Sequence, residues 1–232
     1  MYSLLLLTAL PGQFVENDQF PIARQHAAFE ATPRIYHAAS RSEGAAVVIG
    51  RKDGAIYLLT AAHLVPEFHA KDREKEDLRN VELYFYPADR PNRAGPVVIA
   101  KVRTRMPNED LALLEARPEK PPAPLSLCPK DKRIFRFPMT VMTVGIIRDG
   151  GPDVKTDTVK RQKKVHKPDD TAALYWEADT PQGPGRSGGP MIDTRGYVIG
   201  IASGIQHGKG YYTSIDEIIP ALREAGFGWL CP

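Results

Sequence analysis

Long apolar runs are scarce in this 232-residue chain. Only Leu4–Leu10 reads as nearly continuous, far short of the ~20 residues that a membrane-crossing helix needs, so an integral membrane segment is excluded. Cysteine is nearly absent. Cys128 and Cys231 are the two present, and neither has a neighbour at metal-ligand spacing, which speaks against a structural zinc site. A dominant charge is missing too: 31 Lys and Arg face 28 Asp and Glu, a net +3. A nucleic-acid-binding surface usually shows a larger and more clustered excess, so no nucleic-acid partner is expected. Hydrophobic residues at 42% and charged residues at 25% are ordinary for a globular chain and exclude disorder and coiled coil. The 19 glycines and 21 prolines stay below the ~25–30% that marks low complexity, but they imply many turns. At ~150 residues per domain, the length falls between one domain and two.

The Leu4–Leu10 run has the length of a signal-peptide core. No Lys or Arg precedes it, and no clean small-x-small cleavage site follows. Residues 1–12 are therefore a possible signal peptide or, equally, an apolar segment packed on the domain. The weak signal points to a secreted or periplasmic location and leaves a cytoplasmic one open.

What the chain does have is a succession of short β-rich runs. Arg34–Ala39, Ala45–Arg51, Ile56–Ala61, Val81–Tyr86, Val97–Arg105 and Leu111–Glu115 form a first set. Val81–Tyr86 alternates as a half-buried strand does. Residues 118–124 then carry four prolines, which no sheet interior accepts, and read as an extended linker. A second set follows: Thr140–Ile147, Thr156–Val165, Ala173–Ala178, Met191–Asp193, Tyr197–Ile205 and Tyr211–Ser214. Apolar residues at 215, 218, 219 and 222 predict a helix over Ile215–Ala225, with Gly226 as its C-cap. The expected fold is all-β, with two six-stranded antiparallel β-barrels and a C-terminal helix. The expected units are an N-terminal segment 1–33, a first barrel 34–117, the linker 118–124 and a second barrel 125–232. The charged stretch 71–77 reads as a solvated loop or short helix, and the basic stretch 160–167 as a solvated hairpin arm.

The strongest chemical signal is Gly185-Arg186-Ser187-Gly188-Gly189-Pro190. A serine is a poor nucleophile without a base and without donors for the developing oxyanion. Gly185 lets the backbone turn so that its own N–H and that of Ser187 converge. The motif also matches the nucleophile elbow of α/β-hydrolases, but that fold needs a helix after the serine and an acid and histidine downstream. Here Pro190 and two β-rich runs follow, and His207 is the one later histidine. The opposite order fits better. His63 ends the run Leu58–Ala62, Asp110 opens the apolar run Leu111–Leu114, and Ser187 comes last. His63 can act as base and Asp110 can orient it.

Thr60-Ala61-Ala62-His63, Asp110-Leu111-Ala112-Leu113 and Gly185–Pro190 resemble the three signature segments of chymotrypsin-like (trypsin-like) serine proteases. The likeness is closer to bacterial Deg-type single-domain peptidases than to digestive enzymes. Gly44–Val48, Tyr197–Gly204 and Gly210–Thr213 extend it. It implies a serine endopeptidase with a His63, Asp110 and Ser187 triad, an oxyanion hole of the Gly185 and Ser187 N–H groups, a peptide or protein substrate, and no metal or cofactor. It places Pro181 at the base of the specificity pocket, with Gln182, Ser203, Gly204 and Gly210 around it. A small-to-medium apolar side chain would fit there. It also brings the linker near the terminal helix, so that a Cys128–Cys231 bridge becomes plausible. Arg186 departs from the digestive enzymes, which carry Asp there to pair with a freshly cut N-terminus. The other reading is a non-catalytic peptide-binding module on a protease fold.

Overall fold

The computed structural model describes residues 14, 17–38, 40–65, 80–147, 150–166 and 172–232. The possible signal peptide and the charged stretch 71–77 lie outside the described residues. The first sheet contains β1 (Arg34–His37), β2 (Ser42–Ala45), β3 (Val47–Lys52), β4 (Ala55–Ala61), β5 (Asn80–Tyr84), β6 (Val98–Met106) and β7 (Leu111–Ala116). Their order is β2-β1-β5-β6-β7-β4-β3. The two edges, β2 and β3, are halves of one chain segment that bends at Ala46. Six chain segments thus make a seven-stranded sheet that curls towards closure, where a complete six-stranded barrel was expected.

The second unit is a closed barrel of six strands: β8 (Met139–Ile146), β9 (Pro152–His166), β10 (Ala172–Ala178), β11 (Pro190–Asp193), β12 (Val198–Gln206) and β13 (Lys209–Ser214). The terminal helix α2 (Ile215–Glu224) is capped by Ser214, whose hydroxyl accepts from the Asp216 N–H, and Gly226 follows it at φ 84°. One element was unforeseen. Ile22–Glu30 is a helix, α1, whose Ala28 and Phe29 are buried. Arg24 on its outer side reaches the Thr194 carbonyl in the second barrel.

Side-chain period explains where the cores sit. In β5, Val81 and Leu83 point inward and their neighbours are half-buried. In β7, Leu111 to Leu114 are all buried. Ala112 and Leu114 face the core of the first sheet. Leu111 and Leu113 join Val47, Leu59 and the second barrel's Trp176, Val144 and Ile201 in one continuous core. Both faces of β4 and β7 are covered, so their sequences are apolar runs without alternation. The two strands that flank the candidate site are therefore packed against the other barrel, as is Val47 of β3. The linker is held as an extended strip: Arg51 donates to the Pro121 and Pro122 carbonyls, and the Leu125 N–H to the Val48 carbonyl.

The expected disulfide is not formed. Both cysteines are free. The Cys128 thiol is turned towards the Pro129 carbonyl and the Arg195 guanidinium, and the Cys231 thiol towards the Ile219 carbonyl of α2. Burial pushes the Cys128 thiol up to about 11. The basic arm on β9 is matched locally by acids. Lys160 pairs with Asp179 at 3.0 Å and Arg161 with Glu177 at 3.0 Å, which is how a solvated arm disposes of its charge.

Candidate active site

His63 sits in a 3-10 turn (Ala62–Leu64) directly after β4. Its side chain is 45% exposed. Asp110 ends the turn that leads into β7, at φ 55°, a left-handed conformation that Asp tolerates better than most residues. That turn is fixed by the Ala62 N–H donating to the Asp110 carbonyl at 3.0 Å. It carries the carboxylate under the imidazole. Nδ1 of His63 lies 2.9 Å from Asp110 Oδ2 and 3.1 Å from Oδ1, and the His63 backbone N–H donates to Oδ1 at 3.0 Å. From the second barrel, the Ser203 hydroxyl donates to Oδ2 at 2.5 Å. Burial works to raise the pKa of Asp110. The hydrogen bonds and charge of His63, with the Ser203 hydroxyl, outweigh it and hold the carboxyl below its ordinary value.

Ser187 lies in the turn that precedes β11 and is half-buried. Its carbonyl accepts from the Ala45 N–H of β2 at 2.8 Å, a bond between the two units. Gly188 donates to the Ala202 carbonyl at 2.7 Å. It adopts φ 83°, and a Cβ there would stand 2.1 Å from the Ala45 carbonyl oxygen and 2.3 Å from Thr60 Oγ1. Only glycine lets the serine turn pack this closely on the end of β4. The turn is thus tied to Thr60 and Ala61, just before His63, and to Ala202, next to the residue that bonds Asp110. Among the described residues neither the Gly185 N–H nor the Ser187 N–H is engaged by another group, so both are open to an incoming acceptor. No hydrogen bond joins His63 Nε2 to the Ser187 hydroxyl among the described residues. In ligand-free enzymes such bonds are often long and tighten around substrate.

A model of the trypsin-like peptidase domain matches residues 44–201. The chain belongs to that family. No curated protein sequence matches this peptidase chain. The Rv3671c protease from M. tuberculosis, in its inactive form, is 22% identical over 88% of this chain and 92% of its own, with a TM-score of 0.69. Deg5 is 17% identical over 90% and 97%, with a TM-score of 0.68. An HtrA-type protease, AlgW with tripeptide, is 23% identical over 88% of this chain and 64% of its own, with a TM-score of 0.64. These likenesses establish the fold as that of the HtrA and Deg-type proteases.

The expected pocket residues of this peptidase domain divide into two places. Gln182 is buried and its amide donates to the Tyr211 carbonyl at 2.8 Å, while its Oε1 has no partner. Gly210 lies beside it, at the level of Gln182 Cγ. Ser203 and Gly204 line a groove of about 180 Å³ with Val165, Tyr175, Ile205 and Tyr211. Pro181 is exposed and, with Gln182, lines a polar cavity of about 30 Å³ together with Thr143, Asp157 and Arg186. Pro181 is the exposed and Gln182 the buried member of that lining. Ser203 also reaches Asp110 from its groove, a contact not foreseen from the sequence. No sequence spacing announces that contact, because the two residues are on different barrels. Among the described residues no three His, Cys, Asp or Glu side chains gather as metal ligands, and no helix is long and apolar enough to cross a membrane.

Proposed function

We propose that the protein is a serine endopeptidase that works through an acyl-enzyme. The observation that carries this reading is the His63–Asp110–Ser203 arrangement beside the Ser187 turn. A carboxylate held ionised against Nδ1 fixes the imidazole tautomer and leaves Nε2 as the free base. In this scheme His63 takes the Ser187 proton as Oγ attacks the peptide carbonyl. Asp110 stabilises the imidazolium that forms. The Gly185 and Ser187 N–H groups take up the oxyanion. His63 then returns the proton to the leaving amine, and water repeats the cycle on the ester. The substrate is a peptide segment lying along Ser203–Ile205. Tyr175, Tyr211 and Ile205 favour apolar side chains in the adjoining groove.

A fluorophosphonate probe tests the scheme directly. Wild-type protein is expected to label covalently, and Ser187→Ala to stay unlabelled. His63→Ala is expected to label at least ~100-fold more slowly, within the range general-base catalysis contributes. Peptide binding by folded wild-type protein that never labels would replace the reading with a binding module. Labelling that survives His63→Ala would remove His63 as base.

A further inference from the structure

Arg186 precedes the nucleophile and takes no part in the acyl transfer described above. A guanidinium keeps its charge throughout the physiological range, so burying one requires an anion and hydrogen-bond acceptors around it. Arg186 is 6% exposed. Its Nη1 reaches Asp153 Oδ2 at 3.1 Å, and its Nη2 donates to Thr143 Oγ1 at 2.9 Å. Thr143 lies on β8 and Asp153 near the start of β9, so this one side chain spans both arms of the β8–β9 hairpin. Tyr212 of β13 brings its buried hydroxyl against Thr143 and Arg186 from the other side. The stem of Arg186 lies directly over Gly145, where a Cβ would meet Arg186 Cβ and Cγ at 2.8 Å. One residue earlier, the Gly185 carbonyl accepts from the Ile146 N–H of β8 at 3.2 Å.

These contacts act on the backbone that matters. The candidate oxyanion donors belong to the peptide groups on either side of Gly185 and Arg186. Pinning the Gly185 carbonyl to β8 and the Arg186 side chain to β8 and β9 fixes the peptide plane between them, and with it the directions of both N–H groups. We propose that the Arg186–Asp153 pair is a preformed strut that holds the Gly185 and Ser187 N–H groups convergent. The oxyanion site is then set by an anion inside the β8–β9 hairpin and needs no ammonium from a chain terminus. This rests on the acyl-transfer reading. Arg186 and Asp153 are positioning residues, since neither touches the substrate.

The test uses Arg186→Met, which keeps an unbranched apolar stem, and Asp153→Asn, which keeps the shape of the partner. For a peptide substrate, kcat is expected to fall about 100-fold in each, the scale of a donor displaced from its place, with KM changed by less than about 3-fold. Affinity for a peptide boronic acid, which Ser187 converts to a tetrahedral adduct, should fall in step with kcat. The double variant should be no worse than either single one, because the two residues act as a unit. Arg186→Lys, which keeps the charge, should recover part of the loss. Should Arg186→Met not fold, Asp153→Asn carries the comparison. Folded variants with wild-type kcat and boronate affinity would overturn the strut and leave the peptidase reading intact. A loss of melting temperature with unchanged turnover per folded molecule would do the same, reducing the pair to packing. Wild-type protein that neither labels nor cleaves would overturn both.

Discussion

Asp110 gathers the His63 backbone N–H, the His63 ring and the Ser203 hydroxyl on one carboxylate, from a backbone conformation that most residues avoid. Because its folded-state pKa is depressed, it contributes stability above its ordinary value of 3.8, and that contribution is lost as pH falls through the lower folded value. Ser203→Ala removes one of the bonds that hold it down. The variant is expected to lose about 1.5–3 kcal/mol at neutral pH, the usual worth of a hydrogen bond to a charged group. The gap should narrow at acid pH below that folded value, where Asp110 is protonated in both folded and unfolded states. Urea unfolding at the two pH values measures it, and a gap that stays constant would show that Ser203 acts through packing alone.

Among the elements, the serine turn is the least forgiving. Gly188→Ala would put a methyl against the Ala45 carbonyl and Thr60 Oγ1 while keeping a left-handed φ. The combined cost of overpacking and of that φ is about 3 kcal/mol, readable as a lower urea midpoint with loss of probe labelling. The elements themselves were largely legible in the sequence, because β5 and β6 alternate with period two and β4 and β7 are continuous apolar runs between turn residues. The pairing of His63 with Asp110 from two such ends was legible as well. Three features were not. Helix α1 has little amphipathic pattern, and its one sequence cue is Pro21 ahead of an alanine-rich run. The orientation of Pro181 depends on a loop held by tertiary contacts. The partners of Arg186 stand 33 and 43 residues away on a hairpin whose own sequence carries no motif.

At the scale of the whole molecule, the two thiols bear on how the fold is held together. Each contacts a different carbonyl, and burial raises the Cys128 thiol to about 11, which keeps it protonated and slow to react at neutral pH. Reductant is therefore expected to leave the melting temperature unchanged. Unfolding in urea without reductant should release two titratable thiols per chain. Recovery of none would restore the Cys128–Cys231 bridge. Stability then rests on the core shared across the barrel boundary, in which Val47, Leu59, Leu111 and Leu113 of the first sheet pack with Trp176, Val144 and Ile201 of the second barrel.

The bond from the Ala45 N–H to the Ser187 carbonyl has one more consequence. Any rocking of one barrel against the other would pull the Ser187 carbonyl off β2, along with the Ser203–Asp110 and Thr213–Glu109 bonds. Gaping wide enough to admit a folded loop would part the serine turn from β2 in the same motion. Under the proposed peptidase activity, chains that are already extended or locally unfolded are the expected substrates.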